Sequence, residues 1–103
     1  MWAQIIKTRV KPGSDADVAA LMDQFKAAEQ PGSGLIRSTV MRDQNDPDSL
    51  YMMVVFDSEE SARAREQDPR REPGLAAARE TMARIVEGAP EFTDLEVVME
   101  TTF

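Results

Sequence analysis

The side chains able to do chemistry in this chain are few. It has one tyrosine (Tyr51), one tryptophan (Trp2), seven methionines, nineteen carboxylates, twelve Lys and Arg, and neither histidine nor cysteine. The commonest general base and metal ligand are therefore missing, together with every thiolate reaction. No glycine-rich phosphate loop, G-x-S-x-G or H-E-x-x-H pattern occurs. The carboxylates fall mostly at helix starts or at the alternating positions Glu96 and Glu100, and no spacing singles out an acid–base pair. Arg63, Arg65, Arg70 and Arg71 are interleaved with Glu59, Glu60, Glu66 and Glu72 and read as a solvated helix face and loop. Tyrosine and methionine can ligate iron, but here they sit in strands and helices where core packing accounts for them. Met22, Phe25, Met52, Met53 and Met82 make a soft core able to shape itself around a cavity.

At 103 residues, with 42% apolar and 30% charged, the chain reads as one globular domain spanning 1–103. A net charge of −7 sets it against nucleic acid and anionic membranes as partners. No segment approaches the ~20 apolar residues of a membrane-spanning helix. Lys7, Arg9 and Lys11 interrupt the apolar stretch that a signal peptide would need. The absence of cysteine suits a reducing compartment, and a cytoplasmic location is expected.

The elements that must position these residues are organised around the apolar run Leu50–Phe56. Its length and its valines and aromatics suit a buried strand. Leu50, Met52, Val54 and Phe56 line one face; Tyr51, Met53 and Val55 line the other. Trp2–Val10 reads as a first strand, with Trp2, Gln4, Ile6, Thr8 and Val10 on one face. Pro12-Gly13 closes it, and Ser14 or Asp15 is expected to accept from the free N–H groups of a helix start. Val18, Leu21, Met22, Phe25 and Ala28 give that helix one apolar stripe, and Pro31, Gly32 and Gly34 end it. Leu35–Arg42 is a second strand, joined to Leu50–Phe56 by a polar hairpin loop. Asp57 or Ser58 then caps a short helix to about Gln67, which Asp68-Pro69 breaks. A third helix opens at Pro73 or Gly74 and buries Leu75, Ala78, Met82, Ile85 and Val86, and Gly88 and Pro90 stop it. Asp94–Phe103 is expected to be the last strand.

This order predicts an α+β, ferredoxin-like βαββαβ fold, a four-stranded antiparallel sheet with helices on one face. Both faces of Leu50–Phe56 are apolar, so the face without helices needs a second cover, expected to be another copy of the chain in a two-fold homodimer.

The Trp2–Lys11 strand with Pro12-Gly13, the Pro31-Gly32-Ser33-Gly34-Leu35 approach to the second strand, and Leu50–Phe56 running into Asp57-Ser58-Glu59-Glu60-Ser61-Ala62 together resemble the antibiotic biosynthesis monooxygenase (ABM) domain. The resemblance covers nearly the whole chain and rests on element order and turn chemistry. It implies a dimeric α/β barrel with a pocket between sheet and helices in each subunit. The haem-degrading branch of that family is excluded. Ile6 stands where its first-strand asparagine would be and Arg65 where its tryptophan would be, and no histidine exists to bind iron. The cofactor-free oxygenase branch asks less, because the reduced aromatic substrate supplies the electrons and the pocket need only favour its anion and exclude water. Resemblance to that branch implies no cofactor, no metal, and a pocket drawn from Trp2, Gln4, Ile6, Phe25, Arg37, Tyr51, Arg65 and Met82. In it Arg37 would pair with a phenolate, Tyr51 would donate a hydrogen bond and Arg65 would close the mouth; no catalytic residue is singled out. The alternative is a non-catalytic small-molecule-binding or assembly module of the same fold.

Overall fold

The computed structural model describes every residue from Met1 to Phe103. In chain order it contains β1 (Trp2–Val10), α1 (Asp15–Ala28), β2 (Leu35–Arg42), β3 (Ser49–Phe56), α2 (Glu59–Glu66), a 3-10 turn (Pro69–Arg71), α3 (Glu72–Ile85) and β4 (Val86–Glu96). The strands form one sheet in the order β2-β3-β1-β4, antiparallel throughout. This is the ferredoxin-like βαββαβ arrangement expected from the element order. The apolar run takes an inner position, paired on both edges, and β1 beside it is the other inner strand.

Register fixes which side chains meet the helices. Trp2 lies opposite Phe56, Gln4 opposite Val54, Ile6 opposite Met52 and Thr8 opposite Leu50, so the four pairs share one face. The helices cover that face, in two separate clusters. At one end Val10 and Leu50 pack with Val18 and Leu21 of α1 and Ala78 and Ile85 of α3. At the other end Trp2, Val54 and Phe56 pack with Ala62 of α2. The α1 stripe holds as expected, with Val18, Leu21 and Ala28 buried and Met22 and Phe25 partly buried. On α3, Thr81 is buried as well, its hydroxyl donating to the Ala77 carbonyl at 3.3 Å. No helix is long and apolar enough to cross a membrane.

The helix starts divide on capping. Ser58 caps α2 as expected, its hydroxyl accepting from the Ser61 N–H at 3.1 Å. Ser14 precedes α1 but its hydroxyl instead donates to the Lys11 carbonyl at 2.5 Å. Asp15 and Asp17 still place negative charge in the first turn of α1.

The last strand is the largest departure from expectation. It spans Val86–Glu96, not Asp94–Phe103. Gly88 and Pro90, read as helix stops, lie inside it. The pairing slips between Lys7 and Arg9, so β4 bulges there, and Gly88 (φ +74°) supplies the left-handed backbone at that point. β4 is an edge strand, where a proline costs no ladder bond on the solvent side. Val97–Phe103 forms no regular structure. The Val97 N–H donates to the Met1 carbonyl at 3.2 Å, and Glu100 pairs with Arg37 of β2 at 2.9 Å. The tail thus crosses the helix-free face at its Trp2 end, from β1 to β2. Ala3 and Val55, adjacent on the inner strands of that face, are buried. Tyr51, Met53 and Ile5, further along, are half-buried, and Val98, Met99 and Phe103 project into solvent.

Candidate functional site

The sheet separates the expected pocket residues into two groups. Trp2, Gln4 and Ile6 of β1 point to the helices, where Phe25 of α1 and Met82 of α3 join the Val10 cluster. Arg37 and Tyr51 lie on the opposite face. Arg37 pairs with Val55 in register and its guanidinium is held by Glu100, while Tyr51 lies beneath the Lys7 ammonium, 5.7 Å from the ring centroid. They do not meet the helix-side group, because odd and even positions of a strand cannot share a face.

On the helix side, β1 runs from one core cluster at Trp2 to the other at Val10. Between them Gln4, Ile6 and Thr8 are only half-buried and belong to neither. Gln4 is the polar group in this gap, and its amide donates to Asp94 Oδ1 at 2.9 Å. Asp94 Oδ2 accepts from Arg63 Nη2 of α2 at 2.9 Å. These hydrogen bonds, Gln4 first and Arg63 second, hold the Asp94 carboxyl below the usual range, so it stays ionised and is a weak base. Arg63 Cζ lies 5.1 Å from the centroid of the Trp2 ring, within cation–π range. A hollow of about 400 Å³ opens beside this group, lined by Trp2, Asp57, Ser58, Glu59, Asp94 and Glu96 among others. It is open to solvent, and five of its eight lining residues are polar or charged.

Arg65 lies on the other flank of α2. Its guanidinium makes two hydrogen bonds to Glu29 Oε2, at 2.9 and 2.7 Å, and lies 5.5 Å from the Phe56 ring centroid. Burial pushes the Glu29 carboxyl up, but hydrogen bonds from Arg65 and Ser33 and the Arg65 charge outweigh it, and the net shift is downward. The expectation that Arg63, Arg65, Arg70 and Arg71 form one solvated face is corrected at Arg71. This residue is 7% exposed, forms no ion pair, and donates from Nη1 to the Arg65 carbonyl at 3.2 Å. Desolvation, then the neighbouring Arg65 charge, push its pKa down. Its Nε and Glu29 Oε1 are both buried without a partner.

A second hollow of about 250 Å³ lies on the helix-free face between Lys7, Arg9, Asp46, Ser49, Glu87 and Glu91. Arg9 pairs there with Asp46 at 2.6 Å. Sequence reasoning did not single out Asp94, Arg63 or Glu29. The signal for Asp94 is the β1–β4 register that sets it opposite Gln4, and that register depends on the Gly88 bulge.

The chain is thus a βαββαβ protein whose candidate small-molecule site is the open hollow at the Trp2 end of the sheet, beside the start of α2. The chain belongs to the antibiotic biosynthesis monooxygenase family, whose model matches residues 1–72. A comparison with curated proteins gives no match. Solved structures share the fold across nearly the whole chain. A Chloroflexus aurantiacus protein carrying the same family designation is 24% identical, with 98% of this chain and 96% of that one covered and a TM-score of 0.69. A Nitrosomonas europaea protein of the same designation is 15% identical, with 96% and 100% covered and a TM-score of 0.73. SnoaB from Streptomyces nogalater, described as a cofactor-independent oxygenase, is 18% identical, with 96% and 94% covered and a TM-score of 0.72.

Proposed function

We propose that this chain binds a small planar aromatic molecule on the helix side of its sheet and oxidises it without a cofactor. One observation carries the reading: the core is split in two, and the half-buried gap between its halves holds a glutamine, Gln4, already engaged in a charged network. Asp94 satisfies the Gln4 amide there, and a ligand with a phenolic oxygen would compete for it. Arg63, the cation beside Trp2, is shared among Glu59, Glu66 and Asp94, so the phenolate of a reduced substrate would take the place of one of these carboxylates. In the reaction such a substrate supplies all the electrons. A ring CH₂ becomes C=O, one oxygen atom of O₂ enters that carbonyl, and the other leaves as water with the two hydrogens. Family membership and the likeness in fold to a cofactor-independent oxygenase support this chemistry.

The functional unit is a homodimer in which a second copy covers Ile5, Tyr51 and Met53 on the helix-free face, where Met41 and Leu95 are also exposed. The competing reading, a binder without turnover, draws on the site's own bonding: Gln4, Asp94 and Arg63 satisfy one another, which shifts Asp94 down and Arg63 up, each away from neutral pH. Oxygen uptake with an anthrone-type substrate decides between them. Turnover should be abolished in Gln4→Leu with its melting temperature retained. Thermal stabilisation by the same compound without oxygen uptake would establish the binder, and neither response would overturn the site.

A further inference from the structure

Helix α2 is weakly rooted in the core. Of its residues Glu59–Glu66 only Ala62 is buried, so the apolar contact holding it down is one methyl group, and elements of this kind open at low free-energy cost. Ser61 also packs against Gly34, and the buried Arg71 donates to the Arg65 carbonyl at 3.2 Å; the remaining ties are ion pairs. At ~100° per residue around a helix, residues 63 and 65 fall on opposite sides of residue 62. Arg63 therefore reaches one flank, to Asp94 on β4 at 2.9 Å, and Arg65 reaches the other, to Glu29 just beyond α1 at 2.7 Å. Each guanidinium also covers an aromatic ring on its way, Arg63 over Trp2 at 5.1 Å and Arg65 over Phe56 at 5.5 Å. The two rings are neighbours, 6.1 Å apart and tilted by 54°. The start of α2 (Ser58, Glu59) lines the 400 Å³ hollow beside Trp2.

We infer that α2 is a lid over the Trp2–Phe56 end of the sheet, clipped shut on its two flanks by Arg63–Asp94 and Arg65–Glu29. Releasing the clips exposes both rings, so that a planar aromatic ligand stacks on one and meets the other, tilted by 54°, at an angle. The guanidinium groups occupy in the closed state the ring faces that such a ligand would take, so opening and binding are one exchange of partners. Asp57–Ser58 and Gln67–Asp68, the connections at its two ends, are where the backbone would turn. What enters rests on the ligand reading above, but the motion is tested with no ligand present.

Trp2 is the only tryptophan, so its fluorescence reports this end of the sheet alone. The test measures acrylamide quenching of Trp2 and amide hydrogen exchange at residues 62–66, in the wild type at low salt and at ~0.5 M NaCl, where exposed ion pairs are screened, and in Arg65→Gln. Arg65 covers Phe56 and not Trp2, so a change at Trp2 in this variant requires α2 to move as a unit. Both readouts should rise about threefold in Arg65→Gln and with salt, in keeping with the modest worth of such pairs. Exchange in α1 and α3 should not change. Arg79→Gln, which removes an ion pair with Glu72 on the exposed side of α3, should match the wild type. Unchanged quenching and exchange in Arg65→Gln and at high salt would overturn the lid, and so would an equal rise across all helices, which is global loosening. A lid that opens without any aromatic ligand binding would overturn the proposed function and leave the lid standing.

Discussion

Asp68 shows how one half-buried carboxylate sets pH dependence. Its side chain accepts from Arg70, through both the guanidinium and the backbone N–H, and these bonds bring its pKa down to about 2. The folded value lies below that of the unfolded chain, so the stabilisation is complete above the ordinary carboxylate range of ~4 and is lost as pH falls from there towards 2. Asp68→Asn keeps an acceptor for the Arg70 N–H at the start of the 3-10 turn but no longer titrates. Its melting temperature should therefore decline less steeply than the wild type's between about pH 5 and pH 2, as thermal melts across that range would show. A parallel decline in the two proteins would remove Asp68 from the acid sensitivity. At this scale the sequence showed the charges and not their partners. Arg65, Arg70 and Arg71 look alike in a run of arginines and glutamates, yet one straps a helix, one pairs with the Asp68 that caps a turn and one is buried without an ion-pair partner.

The helix layer depends on one close approach. Gly74 lies in the first turn of α3, and a Cβ there would come within 2.7 Å of the Ala28 Cβ and 2.8 Å of its Cα. Propensity alone favours Gly→Ala in a helix by ~1 kcal/mol. Here the α1 backbone is in the way, and the clash reverses the sign. Gly74→Ala should destabilise by about 1–3 kcal/mol, the usual cost of overpacking, read as a lower urea midpoint with an unchanged slope. A gain in stability would mean that α1 and α3 can part at no cost. The apolar stripe of α1 and the Ser58 cap of α2 were legible from the sequence, whereas the expected cap of α1 did not form. The last strand was not legible. A glycine and a proline after Ile85 ordinarily end an element, and only the slip in pairing with β1 lets both sit within β4.

For the whole molecule, the consequence of a sheet with helices on one side is a second face to cover. The tail takes one end of it, and a partner copy is expected over the rest. Met53, half-buried opposite Ile5 in the middle of that face, is the position to test. Met53→Lys would bury an unpaired charge at the interface near Lys7, and the dimer dissociation constant should rise on the order of 100-fold. Sedimentation at several concentrations would reveal it. A wild type that sediments as a monomer, or a variant that dimerises equally well, would place the interface elsewhere.

The sequence by itself determined the layer architecture. Period and turn chemistry are local properties, and the double-sided apolar run Leu50–Phe56 could only be an inner strand. It also determined the chemical poverty of the site, since no fold can supply a missing histidine or cysteine. The tertiary structure decided the rest. It set Arg37 and Tyr51 on the face away from Trp2, Gln4 and Ile6, and it brought Asp94 and Arg63 to them from β4 and α2. The physical reason is that a site is made of distances between residues far apart in the chain. Asp94 lies ninety positions from Gln4, and a register shifted by one bulge fixes whether the two meet.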